Sequence, residues 1–266
     1  MPFDPTQDHT CVGYFGKAPT NGDFITQHLP RSFIDRWDQW LQSGIGSSQS
    51  QLGNNWLDAY LTSPIWRFGV SEGICGDQAW AGLMLPSVDK IGRYYPLTLA
   101  APIAGNAQLF ILAQGDDEWF SDLERVALSV LENNPENVDF NENVAALQPP
   151  PTNQHNQGSQ PSDIGGAISA SADHWIMEVE PPDQFNRSSL YLARQLLLDK
   201  ISRLSLWWTR GSEHVRPCVL ISAELPAASG FAALLDGDWS RWGWNNRQVL
   251  VGPATSNEPH NTDTIP

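Results

Sequence analysis

Three short apolar runs between Trp66 and Ile103 constrain the fold of this 266-residue chain more than any other feature. In the first run Trp66, Phe68 and Val70 alternate with Arg67 and Gly69, the period of a half-buried strand. Gln78 to Leu85 is almost wholly apolar, which suits a strand covered on both faces. Leu97 to Ile103 forms a third strand, and the segment PSVDKIGRYYP (Pro86 to Pro96) between them reads as a turn. Three successive strands of this kind favour an antiparallel meander.

Helical periods flank that meander. Phe33, Ile34, Trp37, Trp40 and Leu41 recur on one face of a helix from about Arg31 to Leu41, begun by Pro30 or Ser32. Gly44 should end it, leaving Gly44 to Gln51 as a loop. A second helix from about Asn55 to Thr62 groups Trp56, Leu57, Tyr60 and Leu61, and Pro64 closes it. The clearest helix runs from Asp116 to Glu132, where Trp119, Phe120, Leu123, Val126, Ala127, Val130 and Leu131 form one stripe. Before the meander, His9 to Phe15 reads as a strand. Beyond Leu147 the sequence PPPTNQHNQGSQPSD and the small residues up to Ala172 have the composition of a disordered insert. Trp175, Met177 and Val179 then alternate as a strand, and Ser188 to Leu204 is helical. Leu204 to Trp208 and Pro217 to Ser222 read as two strands joined by the turn TRGSEHVR, and Leu225 to Leu235 as a last short helix. The organisation expected is one domain over residues 1–252, with an insert at about 149–172 and a flexible tail at 253–266.

Charge and composition exclude several functions. Thirty acidic against fifteen basic residues give a net charge of −15, which a nucleic-acid backbone or an anionic membrane surface would repel. No stretch approaches the roughly 20 apolar residues of a membrane helix. The first ten residues, MPFDPTQDHT, lack the positive start and apolar run of a signal peptide. Cys11, Cys75 and Cys218 are too far apart for a metal-site spacing and read as buried thiols in a reducing cytoplasm. The six histidines show no ligand spacing either, so neither a metal nor a cofactor is expected.

The stretch GYFGKAPTNGDF (Gly13 to Phe24) is the first candidate for chemistry. It is not a phosphate loop, because Cys11 stands where a Walker loop needs its first glycine and Ala18 where it needs a hydroxyl. Gly13 and Gly16 are three apart, which also breaks the dinucleotide pattern. Asp23 and Asp89 each lie in a glycine-rich turn near a basic residue, Lys17 and Arg93 respectively. Each pair reads either as a local ion pair or as part of a polar patch that contacts a partner. Ser212, Glu213 and His214 are of triad types, but adjacent residues cannot aim at one another as nucleophile, base and orienter. Trp207 and Trp208 face opposite sides of a strand, so one enters a core while the other either packs under a helix or anchors an interface.

Several segments in order resemble the TagF, or ImpM, family of accessory proteins of bacterial type VI secretion. They are GYFGKAPTNGDFI (Gly13 to Ile25) with LPRSFIDRWDQWL (Leu29 to Leu41), WLDAYLTSPIWRF (Trp56 to Phe68), AWAGLMLPSVDKIGRYYPLTL (Ala79 to Leu99) and SLWWTRGSE (Ser205 to Glu213). The resemblance implies an α/β fold of α+β type: an antiparallel or mixed sheet flanked by helices, an α/β/α sandwich with a likeness to longin-type domains. It also implies a cytoplasmic, non-enzymatic negative regulator that acts after translation by binding the forkhead-associated-domain scaffold protein of the system. The family motifs fall on Gly13, Gly16, Lys17, Pro19, Gly22 and Asp23, then on Pro86, Ser87, Asp89, Gly92, Arg93 and Pro96, then on Trp207, Trp208, Gly211, Ser212 and Glu213. Ala18 and Thr20-Asn21 depart from the family's usual residues and bear on partner choice. Two other classes compete with this reading: a hydrolase using Ser212 or a carboxylate among Asp23 and Asp89, which requires those groups to converge in one pocket, and a structural part of the secretion apparatus.

Overall fold

Alternate residues of the central strands enter two separate cores, and a sheet so patterned has to be covered on both faces. The computed structural model describes residues 11–113, 117–131, 140–150, 174–178 and 203–248. The strands are β1 (Gly13–Gly16), β2 (Ile25–Gln27), β3 (Trp66–Val70), β4 (Ala79–Leu85), β5 (Leu97–Ile103), β6 (His174–Glu178), β7 (Leu204–Thr209), β8 (Cys218–Ala223) and β9 (Asn245–Gln248). They form one sheet in the order β2-β1-β5-β4-β3-β7-β8-β6-β9. Every pairing is antiparallel except β6 with β9, so the sheet is mixed. The β3-β4-β5 meander stands as its centre.

One face is aromatic. Phe15, Trp66, Phe68, Val70, Trp80, Met84, Trp207 and Leu220 pack there against α1 (Arg31–Leu52), α2 (Trp56–Leu61) and the short α6 (Ala233–Asp236). The other face is mostly aliphatic: Ala81, Leu83, Leu97, Leu99, Leu206 and Val219 lie beneath α3 (Asn106–Ala113) and α4 (Asp117–Ser129). A further helix, α5 (Phe140–Ala145), follows on that side and places Val144 in the same core. The result is the α/β/α arrangement.

Several expected boundaries move. Gly44 does not end the first helix, which runs on to Leu52 through the glycine- and serine-rich segment. Gly44 is buried against the ring of Phe231, where a Cβ would collide, so its lack of a side chain serves packing. Ser48, also buried, donates to the Ile45 carbonyl at 2.9 Å and accepts the Trp56 indole N–H at 2.9 Å. Tertiary contacts thus outweigh the poor helix propensity of the segment. Gly53, with φ of 55°, is the true C-cap. Strand β3 is buried along its whole length, because Arg67 pairs with Glu124 of α4 at 2.7 Å and lies over the Phe120 ring. Cys75 and Cys218 are buried as expected, but Cys11 is exposed just ahead of the first strand. The expected insert at 149–172 (apart from Pro149 and Pro150), the expected helix from Ser188 to Leu204 (apart from Arg203 and from Leu204, which opens β7 instead) and the tail at 253–266 lie outside the described residues.

Candidate partner-binding site

Strand register places all three sequence motifs at one end of the sheet. The end of β1 meets the start of β5 (Phe15 opposite Thr98), and the end of β4 meets the same point (Leu85 opposite Leu97). Trp66 lies opposite Met84 and Arg67 opposite Trp208, so β3 begins, and β7 ends, at that end too. The turns at 17–24, 86–96 and 210–217 therefore share one rim, together with the 62–65 link that feeds β3.

At the centre of the rim stands the buried carboxylate of Asp89. Its Oδ2 accepts from the Lys17 ammonium and from Arg93 Nε at 2.6 Å. Its Oδ1 accepts the backbone N–H groups of Ile91 at 3.1 Å and Arg93 at 2.8 Å. Burial pushes the Asp89 carboxyl up, but the Lys17 and Arg93 cations and the two backbone N–H groups outweigh it and hold the group well below the usual carboxylate range. Both oxygens are consumed in joining two loops.

The loops are locked by further bonds. Arg93 Nη2 donates to the Gly22 carbonyl, and the Lys90 N–H donates to the Asn21 carbonyl at 3.0 Å. Ser87 Oγ donates to the Lys17 carbonyl at 2.7 Å. Gly16, with φ of 147°, lies so close to Pro96 and Leu97 that a Cβ there would strike their backbone. Tyr60 of α2 donates its hydroxyl to the Ser87 carbonyl at 2.8 Å and accepts the Ser87 N–H at 3.0 Å. Burial pushes the Tyr60 phenol far above its ordinary range, so it remains a donor. At the far side of α2, His214 Nε2 stands 3.6 Å from Asp58 Oδ2. Helix α2 thereby stitches the second turn to the third.

The structure corrects one expected pairing. Arg93 does pair with Asp89, but Lys17 does not pair with Asp23. The chain reverses after Ala18, whose carbonyl accepts the Asn21 N–H at 3.0 Å. That turn brings the Phe24 ring over the Lys17 ammonium, 4.9 Å from ring centre, and leaves Asp23 exposed without a side-chain partner among the described residues. Long-range pairing across 72 residues gives no local sequence signal.

The third motif divides in two. Trp207 is fully buried against Trp37, Trp40 and Phe68 on the aromatic face. Trp208 is buried on the opposite face, edge-on to Phe120 of α4 at 5.0 Å. Of the two uses open to the second tryptophan, packing under a helix is the one realised. Ser212 and Glu213 stay exposed in the β7-β8 turn, where the Ser212 N–H donates to the Val215 carbonyl at 2.8 Å. Three strand spacings, about 14 Å, separate that turn from the Asp89 loop. Ser212 and Asp89 are thus not brought together. Sequence reasoning missed Tyr60 as the link between turns and Phe24 as the cover over Lys17, although both are aromatic residues inside the motif-bearing segments.

No described helix is long and apolar enough to cross a membrane. Among the described residues no group of three or more His, Cys, Asp or Glu side chains could hold a metal ion.

Comparison with known proteins adds two findings. A family model described as the TagF N-terminal domain, type VI secretion system-associated, matches residues 13–147, which carry the first two motifs. The crystal structure of PA0076 from Pseudomonas aeruginosa PAO1 is similar over 85% of this chain and 94% of that one, at 36% identity and a TM-score of 0.66. No curated protein matches the chain.

Proposed function

The chain belongs to the TagF family of type VI secretion-associated proteins, and on that premise we propose that it restrains secretion by binding the forkhead-associated-domain scaffold protein of the same system. In this reading it acts in the cytoplasm, after translation, as a binding protein without turnover. The observation that carries the reading is the Asp89 node: the charged motif residues Lys17, Asp89 and Arg93 spend their charges on one another. A carboxylate held anionic by two cations, with both oxygens occupied, is a poor general acid or base. It is well suited to fixing the shape of two loops that a partner recognises. The exposed Ser212 turn, three strand spacings away, gives that carboxylate no nucleophile.

The test is affinity capture of the purified scaffold protein by this chain, run alongside a secretion assay in which the chain is overproduced. Capture by the wild type together with reduced secretion of effectors is the expected result. Failure of the folded wild type to capture the scaffold would sink the mechanism.

A further inference from the structure

The turn that carries the first motif is held by its backbone and leaves two polar side chains outside. The Ala18 carbonyl accepts the Asn21 N–H at 3.0 Å, so Ala18 to Asn21 form a β-turn with Pro19 and Thr20 at its centre. Thr20 does not take the positive φ that a type II turn would impose on it. The Lys17 carbonyl before the turn accepts Ser87 Oγ, and the carbonyls after it are also taken: that of Asn21 by the Lys90 N–H and that of Gly22 by Arg93 Nη2. A Cβ placed on Gly22 would meet nothing within 4 Å, so the outer side of the turn is open.

Thr20 and Asp23 stand on that outer side, both exposed. The Thr20 hydroxyl donates to its neighbour, Asn21 Oδ1, at 2.8 Å, and the core uses neither its oxygen nor its methyl group. The other threonines among the described residues are placed differently. Thr98 and Thr209 are buried, Thr62 Oγ1 donates to the Asp58 carbonyl at the end of α2, and Thr26 lies in the β2 ladder opposite Phe15. Thr20 lies outside every strand and helix, so a modifying enzyme reaches its hydroxyl without breaking the sheet.

We propose that Thr20 is a phosphorylation site, and that its phosphate, with the Asp23 carboxylate three residues on, is a pair of anions gripped by the forkhead-associated domain of the scaffold protein. The proposal rests on the reading that the chain binds that scaffold, and it names the modification that regulates the contact. A phosphate adds a charge of about −1.5 to −2 at pH 7 and three strong acceptor oxygens. Forkhead-associated domains are among the modules that read such groups with cationic side chains. A chain of net charge −15 favours approach to a cationic reader. The Asp89 clamp fixes the backbone around both side chains, so little ordering is left for binding to impose. The co-reactant is ATP on a serine/threonine kinase. The bond from the γ-phosphorus to the β–γ bridging oxygen breaks, a bond from that phosphorus to Thr20 Oγ1 forms, the hydroxyl proton passes to the kinase's base, and ADP leaves. A phosphatase resets the site by transferring the phosphoryl group to water.

The test uses the full chain made with phosphothreonine at position 20 by genetic code expansion. It is titrated against the purified scaffold beside the unmodified chain, its own phosphatase-treated form, the same phosphorylated chain carrying Asp23→Asn, and a chain with phosphothreonine at position 26 instead. Thermal melting establishes that each is folded. Phosphate on Thr20 is expected to tighten binding about tenfold or more, phosphatase to reverse the gain, and Asp23→Asn to remove a good part of it. Phosphate at position 26 should stay within about twofold of the unmodified chain, and mass spectrometry of the chain recovered from its native cells should find phosphate on Thr20. Equal affinity with and without phosphate on Thr20, the result if the exposed Lys90 of the facing loop claims the group, would overturn the proposal. An equal gain from position 26 would show that added charge alone acts, and would overturn it too. So would absence of phosphate from Thr20 in both secreting and silent cells. Each of these three results leaves the scaffold reading intact. No binding by either the phosphorylated or the unmodified chain would overturn the scaffold reading, and this proposal with it.

Discussion

The aromatic face and the motif-bearing rim adjoin each other, yet they are held by opposite means. On the aromatic face, shape comes from rings whose polar ends are tethered. Trp37 donates to Thr98 Oγ1 at 2.9 Å, Trp40 to the Pro226 carbonyl at 2.7 Å, Trp66 to the Leu234 carbonyl at 3.0 Å and Trp207 to Ser205 Oγ at 3.0 Å. Each tether fixes one orientation of a large apolar body, so the face has a single good packing. On the rim, shape comes from one buried carboxylate that collects four donors from two turns. The difference teaches that global stability and loop shape are separable here: the rings set the first, and the ion cluster sets the local form of the loops.

Breaking the aromatic face should produce the largest effect. Trp37 is fully buried among Phe33, Trp40, Phe68 and Trp207, so Trp37→Ala is expected to cost about 3–5 kcal/mol. Urea unfolding reads this as a lower midpoint. A cost below about 1 kcal/mol would mean that the rings do not hold the fold.

A smaller loss is expected from the clamp. Lys17→Met should cost about 2 kcal/mol, less than the full penalty of an orphaned buried charge, because Arg93 and two backbone N–H groups still hold the carboxylate. Hydrogen exchange should show the opening concentrated in 17–24 and 86–96. Uniform loss of protection across the sheet would break the distinction between the regions.

Acid probes the same clamp with a definite sign. The Asp89 carboxyl titrates lower in the folded chain than in the unfolded one, so the unfolded state binds more protons between the two values. The clamp's contribution is complete above the unfolded value of about 3.9 and is lost as pH falls through the folded one. Asp89→Asn should therefore flatten the dependence of stability on pH below about 4, measured by urea unfolding at pH 3 and pH 5. An unchanged slope would show that another group governs it.

The smallest effect on stability belongs to the outer rim. Ile91→Ser should change stability by less than about 0.5 kcal/mol, as expected for an exposed position. Thermal melting checks this, and a large loss of stability would place Ile91 in the core. Thiol labelling sharpens the same inside-to-outside contrast. Burial pushes the Cys75 thiol up to about 12, so native protein should react at Cys11 and not at Cys75.

What was legible in the sequence follows the range of the forces involved. Strand and helix periods are local, so the β3-β4-β5 meander, the α4 stripe and the strand pair β7-β8 could be read from spacing. The Arg93 to Asp89 pair is four residues apart and could be read too. Lys17 to Asp89 could not, because the sheet order sets it. The same holds for Gly44, whose local preference says stop while its contact with Phe231 says continue. Helices α3 and α5 escaped a reading centred on the long amphipathic stripes. Motif order, more than any single residue, pointed to the family, and the family match over residues 13–147 agrees with it.

The central proposal is that the scaffold protein recognises the loops gathered at the motif-bearing end of the sheet. Hydrogen exchange of the chain with and without saturating scaffold protein tests it most directly. The account predicts new protection in 17–24, 86–96 and 210–217 and in α2, with the β3-β4 end of the sheet around residues 71–78 unchanged. Protection confined to α3 and α4, or to 71–78, would contradict it.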